Sequence, residues 1–130
     1  MILGIGSDII HIPRVARAIA NERFLERVYT ARERAYAESR GKTMTASLAA
    51  RFAGKEAVLK ALGAALEACG APPPTGWRYR DVEVVAGRGS PPRLRLHGPL
   101  QEAARDAGVR TWHLSLAHDA GIALAFVVAE

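Results

Sequence analysis

Residues 51–63 read RFAGKEAVLKALG, a stretch with helical character whose wheel has no face for water. At about 100° per residue, Leu48, Phe52, Val58, Leu59 and Leu62 form a broad apolar stripe, with Arg51 and Lys55 inside it and Glu56 and Lys60 along its edge. The other side is Ala49, Ala50, Ala53, Gly54, Ala57 and Ala61. A helix that is apolar or small all round belongs in a core, and a charge buried there is costly unless something pairs with it. Glu56 can satisfy only one of three cations. Arg51, Lys55 and Lys60 lie one or two turns apart, a spacing that suits several phosphates of one ligand; the alternative is that Arg51 and Lys55 snorkel past the core to the surface.

The chain around this helix has 130 residues, 49% of them hydrophobic, which fits one domain spanning 1–130 with one core. A formal charge of +5 and a pI near 10.0 point to an acidic partner or substrate without choosing among nucleic acid, anionic lipid, a phosphorylated metabolite or an acidic protein. The single cysteine, Cys69, has no intrachain partner, and the opening MILGIGSDII meets Asp8 too early for a signal h-region. No apolar run approaches a membrane span. A soluble cytoplasmic protein is expected.

Upstream, ILGIGSDII at 2–10 is predicted as a buried strand ending near Asp8, with Gly4, Gly6 and Asp8 on one face. Pro13 opens a helix through PRVARAIA, NERFLERV forms a second, and Thr30 with Glu33 has capping-box spacing for a third. Thr43 or Thr45 caps the long helix, which is expected to run to about Gly63. Downstream, the three prolines of EACGAPPPTGW enforce a loop. DVEVV and RLRLH flank GRGSPP as a hairpin, Pro99 starts a helix that ends at Gly108, and TWHLSLA with GIALAFVV makes a second hairpin around HDAG. This order predicts an α+β fold, a mostly antiparallel sheet packed against a long buried helix and several short helices.

Asp8 and Glu56 are carboxylates in apolar settings. Placed close together, two such residues would form half of a phosphate-dependent magnesium site, since Mg²⁺ takes one or two carboxylates and fills its shell with water and phosphate oxygens. The structural alternative pairs Glu56 with Lys60 at i,i+4 and lets Asp8 cap a turn. In TWHLSLAHD, His113 and Ser115 share the face opposite Trp112, Leu114 and Leu116. Ser115, His118 and Asp119 are too compressed for a hydrolase triad, and no G-x-S-x-G elbow accompanies them. GIGSDI lacks the third glycine of a dinucleotide fingerprint, no Walker motif occurs, and the histidines and cysteine have no zinc spacing.

Taken together, GIGSDII, RFAGKEAVLKALG and HLSLAHD, with GSPPRLRLHG between the last two, resemble the holo-acyl carrier protein synthases, the short group of 4'-phosphopantetheinyl transferases. The resemblance covers nearly the whole chain. It implies an enzyme of fatty acid biosynthesis that moves 4'-phosphopantetheine from coenzyme A to a serine of apo acyl carrier protein and releases adenosine 3',5'-bisphosphate. It further implies Mg²⁺ on Asp8 and Glu56, catalysis by Glu56, Lys60 and Asp8, and coenzyme A contacts from Arg51, Lys55, Lys60, Gly63, His113 and Ser115. Arg14, Arg17, Arg23 and Arg27 with Phe24 and Val28 become a charged rim around an apolar contact for the acidic carrier. A homotrimer with coenzyme A between neighbouring subunits is implied as well, with neither nucleic acid nor membrane as a partner. The alternatives are a transferase serving polyketide or peptide synthase carriers, and a small basic RNA-binding module. The scarcity of aromatics and the lack of paired stacking rings on any strand oppose the second.

Overall fold

The structure is a computed structural model and describes residues 1–86 and 89–130. Its axis is the helix read above, here α4 once the elements are numbered in chain order: β1 (Gly4–His11), α1 (Ile12–Ala18), α2 (Glu22–Val28), α3 (Ala31–Ser39), α4 (Met44–Ala68), β2 (Val82–Val85), β3 (Arg93–Leu96), α5 (Gly98–Asp106), β4 (Trp112–Asp119) and β5 (Ile122–Ala129). Leu48, Ala49, Ala53, Ala57, Val58, Ala61 and Leu62 are all buried, so α4 is covered over most of its circumference, while Phe52, Glu56 and Leu59 are half-buried and Lys60 and Gly63 stay exposed along one edge. The α+β expectation holds. β1, β5 and β4 form an antiparallel sheet in the order β1-β5-β4, and β2 pairs with β3 in a separate antiparallel hairpin whose connection includes the undescribed positions 87 and 88.

The sheet lies flush on α4 because β1 carries glycine where the two elements cross. A Cβ at Gly4 would stand 2.0 Å from the Ala61 carbonyl oxygen, and one at Gly6 only 1.9 Å from that of Ala57. β5 answers with Ala123, Ala125, Val127 and Ala129 on the same inner face. Strand alternation then turns Ile5, Ile9, Ile122, Leu124 and Phe126 outward, where they are exposed.

Several boundaries differ from the sequence reading. α4 passes through Gly63 to Ala68, since the following AALEA run is good helix, and it stops in a Schellman motif: Gly70 has φ 72, its N–H bonds the Glu67 carbonyl, and the Ala71 N–H bonds that of Leu66. Thr43 occupies the N-cap position without capping, its hydroxyl being donated to the Arg40 carbonyl instead. Asp8 lies within β1 opposite Ala125, not at its end. β4 and β5 continue through His118 and Asp119 to a two-residue turn, Ala120–Gly121, with both φ angles positive (50 and 79) as a tight hairpin requires. The Thr30–Glu33 capping box is present as expected.

Candidate active site

β1 and α4 bring Asp8, Glu56 and Lys60 to one side of their crossing. Lys60 does not fold back on Glu56. Its ammonium reaches across to β1, 2.9 Å from the Ser7 carbonyl oxygen and 3.3 Å from Asp8 Oδ1. One turn earlier, Glu56 Oε1 accepts a 2.9 Å hydrogen bond from the Tyr79 hydroxyl. Burial first, and then that bond to Glu56, push the Tyr79 phenol up to about 12. The Asp8 charge adds to the same rise through space.

Asp8 is partly exposed and Lys60 largely so, and among the described residues Asp8 Oδ2 and Glu56 Oε2 have no hydrogen-bond partner. No cluster of three or more ligating side chains exists among those residues. Two free carboxylate oxygens on partly exposed side chains suit a hard cation that completes its shell with water and phosphate oxygens, as Mg²⁺ does. The donor set fits.

The other two cations of the opening stretch behave differently. Lys55 is wholly buried and lies 2.7 Å from Oε1 of the equally buried Glu33. Its other donors go to the carbonyl of Tyr79, at 3.4 Å, and to that of Val82. All three ammonium donors are used, so the expectation that Lys55 meets coenzyme A is corrected: its anion is a protein carboxylate. Burial pulls the Lys55 ammonium below its usual value and Glu33 pushes it back. Glu33 also takes the Thr30 and Val84 N–H groups, so every formal charge in this knot is answered.

Arg51 is nearly buried, with its guanidinium 4.4 Å from the centre of the Tyr36 ring and 2.7 Å from Ser47 Oγ. Burial lowers its basicity against the opposing pull of Glu33 and Tyr36. Its Nε is buried and has no hydrogen-bond partner among the described residues. This guanidinium lines a cavity of about 260 Å³ together with Tyr36, Arg40, Ser47 and His118.

His118, not His113, is the histidine near Arg51. His113 and Ser115 lie on the outer face of the sheet, away from α4, and His113 bonds Glu130 at 3.1 Å. Within one chain they do not join Asp8 and Glu56. Gly63 is exposed beside an apolar groove of about 370 Å³ that includes Leu59, Leu66, Pro73, Pro74 and Trp77. A cleft of about 650 Å³ between β3, α5 and the start of β4 contains neither carboxylate. Of the expected carrier contacts, Arg14, Arg17, Arg23 and Arg27 are exposed. Val28 is 4% exposed and belongs to the core, so its place in that surface is corrected, whereas Phe24 is half-buried with its ring 6.1 Å from that of Phe52. No helix among the described residues is long and apolar enough to cross a membrane.

Comparison with known proteins shows the family. The family model of the 4'-phosphopantetheinyl transferase superfamily matches residues 4–127. The chain belongs to that superfamily and, within it, to the holo-acyl carrier protein synthases. It is 44% identical to the holo-acyl carrier protein synthase of Anaeromyxobacter sp. (strain K) over 135 aligned residues, covering 100% of this chain and 97% of that one. It is equally 44% identical to the holo-acyl carrier protein synthase of Salinispora arenicola (strain CNS-205), with 100% and 99% covered. Among solved structures, the coenzyme A complex of the Chronobacterium ammoniagenes synthase superposes with a TM-score of 0.81 at 29% identity, covering 97% of this chain and 95% of that one. The Helicobacter pylori holo-acyl carrier protein synthase in complex with coenzyme A gives 0.75 at 27%, covering 97% and 99%.

Proposed function

We propose that this enzyme transfers 4'-phosphopantetheine from coenzyme A to a serine of apo acyl carrier protein, with Mg²⁺ held by Asp8 and Glu56, in support of fatty acid biosynthesis in the cytoplasm. The observation that carries this reading is the Lys60 ammonium standing between β1 and α4 beside Asp8, one turn from Glu56: two carboxylates for a cation and a cation for a phosphate, at one place. The coenzyme A complexes of two similar proteins support it.

Bound Mg²⁺ would neutralise charge on the pyrophosphate as the leaving group departs. Lys60 is exposed enough to turn its ammonium onto a pyrophosphate oxygen. The carrier serine Oγ attacks the phosphorus that bears pantetheine, a new O–P bond forms, the bridging P–O bond breaks, and its electron pair leaves with adenosine 3',5'-bisphosphate. The serine proton goes to water or to Glu56. Positioning and charge stabilisation carry most of such a transfer, so no dedicated strong base is required. The Arg51 cavity, with its unpartnered Nε, suits the nucleotide's remaining phosphate. The exposed arginines of α1 and α2 suit an acidic carrier. The apolar outer face of the sheet, with His113 and Ser115 on it, suits burial against further copies in a homotrimer.

The test is to incubate the enzyme with coenzyme A, Mg²⁺ and apo acyl carrier protein and to weigh the carrier. A gain of one phosphopantetheine, absent in Glu56→Gln and with chelator, is the expected result. No gain with any of several carriers would overturn the reading.

A further inference from the structure

We infer that the Tyr79 hydroxyl is the positioning group for the Glu56 carboxylate, fixing which of its oxygens faces the metal. The inference deepens the metal-site reading above and rests on it. Tyr79 supplies the hydrogen bond Glu56 makes to another side chain, at 2.9 Å, and the direction is unambiguous because a carboxylate accepts and a phenol donates. With one lone pair of Oε1 so engaged, Oε2, which has no hydrogen-bond partner among the described residues, is the freer oxygen for a cation. Carboxylate ligands held by such an outer hydrogen bond are restrained in orientation, and losing the partner typically costs about 10–100-fold in metal affinity.

The hydroxyl can play this part because the residue carrying it is fixed at both ends. Its ring packs 5.5 Å from Phe52 and 5.3 Å from Trp77. Its carbonyl accepts from the buried Lys55 ammonium, which also holds Val82, while Asp81 closes the same turn by accepting the Arg78 N–H at 2.8 Å. Consecutive residues of α4 therefore grip one turn from two sides, Lys55 by its backbone and Glu56 by its side chain. The Lys55–Glu33 pair, which meets no ligand, reaches the site through Tyr79.

The test is Tyr79→Phe, which removes one oxygen and keeps the ring stack. Mn²⁺ binding in the presence of coenzyme A is read directly from the electron paramagnetic resonance signal of the free ion, and transfer rates are measured against Mg²⁺, coenzyme A and carrier. We expect binding of Mn²⁺ to weaken about tenfold, with a matching rise in the Mg²⁺ needed for half-maximal rate and an unchanged KM for carrier. On the Glu56→Gln background the same substitution should change Mn²⁺ binding no further, which a loss through general loosening would not reproduce. Equal Mn²⁺ binding by wild type and Tyr79→Phe overturns the inference alone, as does a loss that persists beside Glu56→Gln. If wild type binds no Mn²⁺ and modifies no carrier, the metal-site reading falls and takes this inference with it.

Discussion

Gly6→Ala tests whether the contact of β1 on α4 sets the active-site geometry. The new methyl would stand 1.9 Å from the Ala57 carbonyl oxygen, about 1.5 Å short of the 3.4 Å where ordinary contact begins. The obstruction is helix backbone, which has no rotamer to change, so strand and helix must separate. Overpacking of this kind costs about 1–3 kcal/mol. The upper end applies here, for a Tm lower by roughly 10 °C. Gly6 is two residues from Asp8 and Ala57 is next to Glu56, so the separation also spreads the two carboxylates. A misplacement of about 1 Å can cost about 100-fold in rate, so activity per folded molecule should fall by about that factor, with Ser7→Ala on the open side of the strand as the control. Circular dichroism at the assay temperature gives the folded fraction, and the mass gain of the carrier gives the rate. A variant with Tm within about 2 °C of wild type would refute the packing argument, and one that is destabilised but fully active per folded molecule would refute the coupling to Asp8.

Lys55→Met should cost about 3–5 kcal/mol, because Glu33 is left as an unpaired buried charge; adding Glu33→Gln should recover part of the loss, and urea melts of the three variants decide it. Glu83 adds an acid limb to stability: burial raises its carboxyl, but bonds from Thr30 and His97 outweigh that and hold it below the ordinary 4.5. With the folded value below the unfolded one, its contribution is complete at neutral pH and is lost as pH falls through the folded value, so Glu83→Gln should flatten the fall in Tm below about pH 4.5. Reversing Arg14 and Arg17 to Glu should raise the KM for an acidic carrier about tenfold or more at low salt and leave that for coenzyme A unchanged; equal carrier kinetics would exclude α1 from docking.

Local patterns revealed the elements, and only contacts distant in sequence revealed the partners. The wheel of 51–63 exposed the enclosed helix, and alternation placed Gly4, Gly6 and Asp8 on its side of β1. What those patterns could not show was that Lys55 is answered by a carboxylate 22 residues earlier, already legible as one half of a capping box. Capping accounts for one Glu33 oxygen and gives no hint that the residue is buried. Tyr79 follows the proline loop in a segment with no periodicity, so nothing local ties it to Glu56. His118 was within reach: the alternation that turns Trp112, Leu114 and Leu116 inward continues to 118 once the strand is extended past Ala117.

The pairing of β1 with β5 ties residues 4–11 to residues 122–129, and this sets a timetable for synthesis. At about 5–20 residues per second, the first strand waits roughly 6–24 s on the ribosome before its hydrogen-bonding partner exists. During that interval α4 can already cover its glycine side, but its edge and its outward isoleucines stand open, the condition under which strands find wrong partners. Recovery of active protein should therefore depend on how fast those last residues are made and released, and far less on the stability of the finished fold.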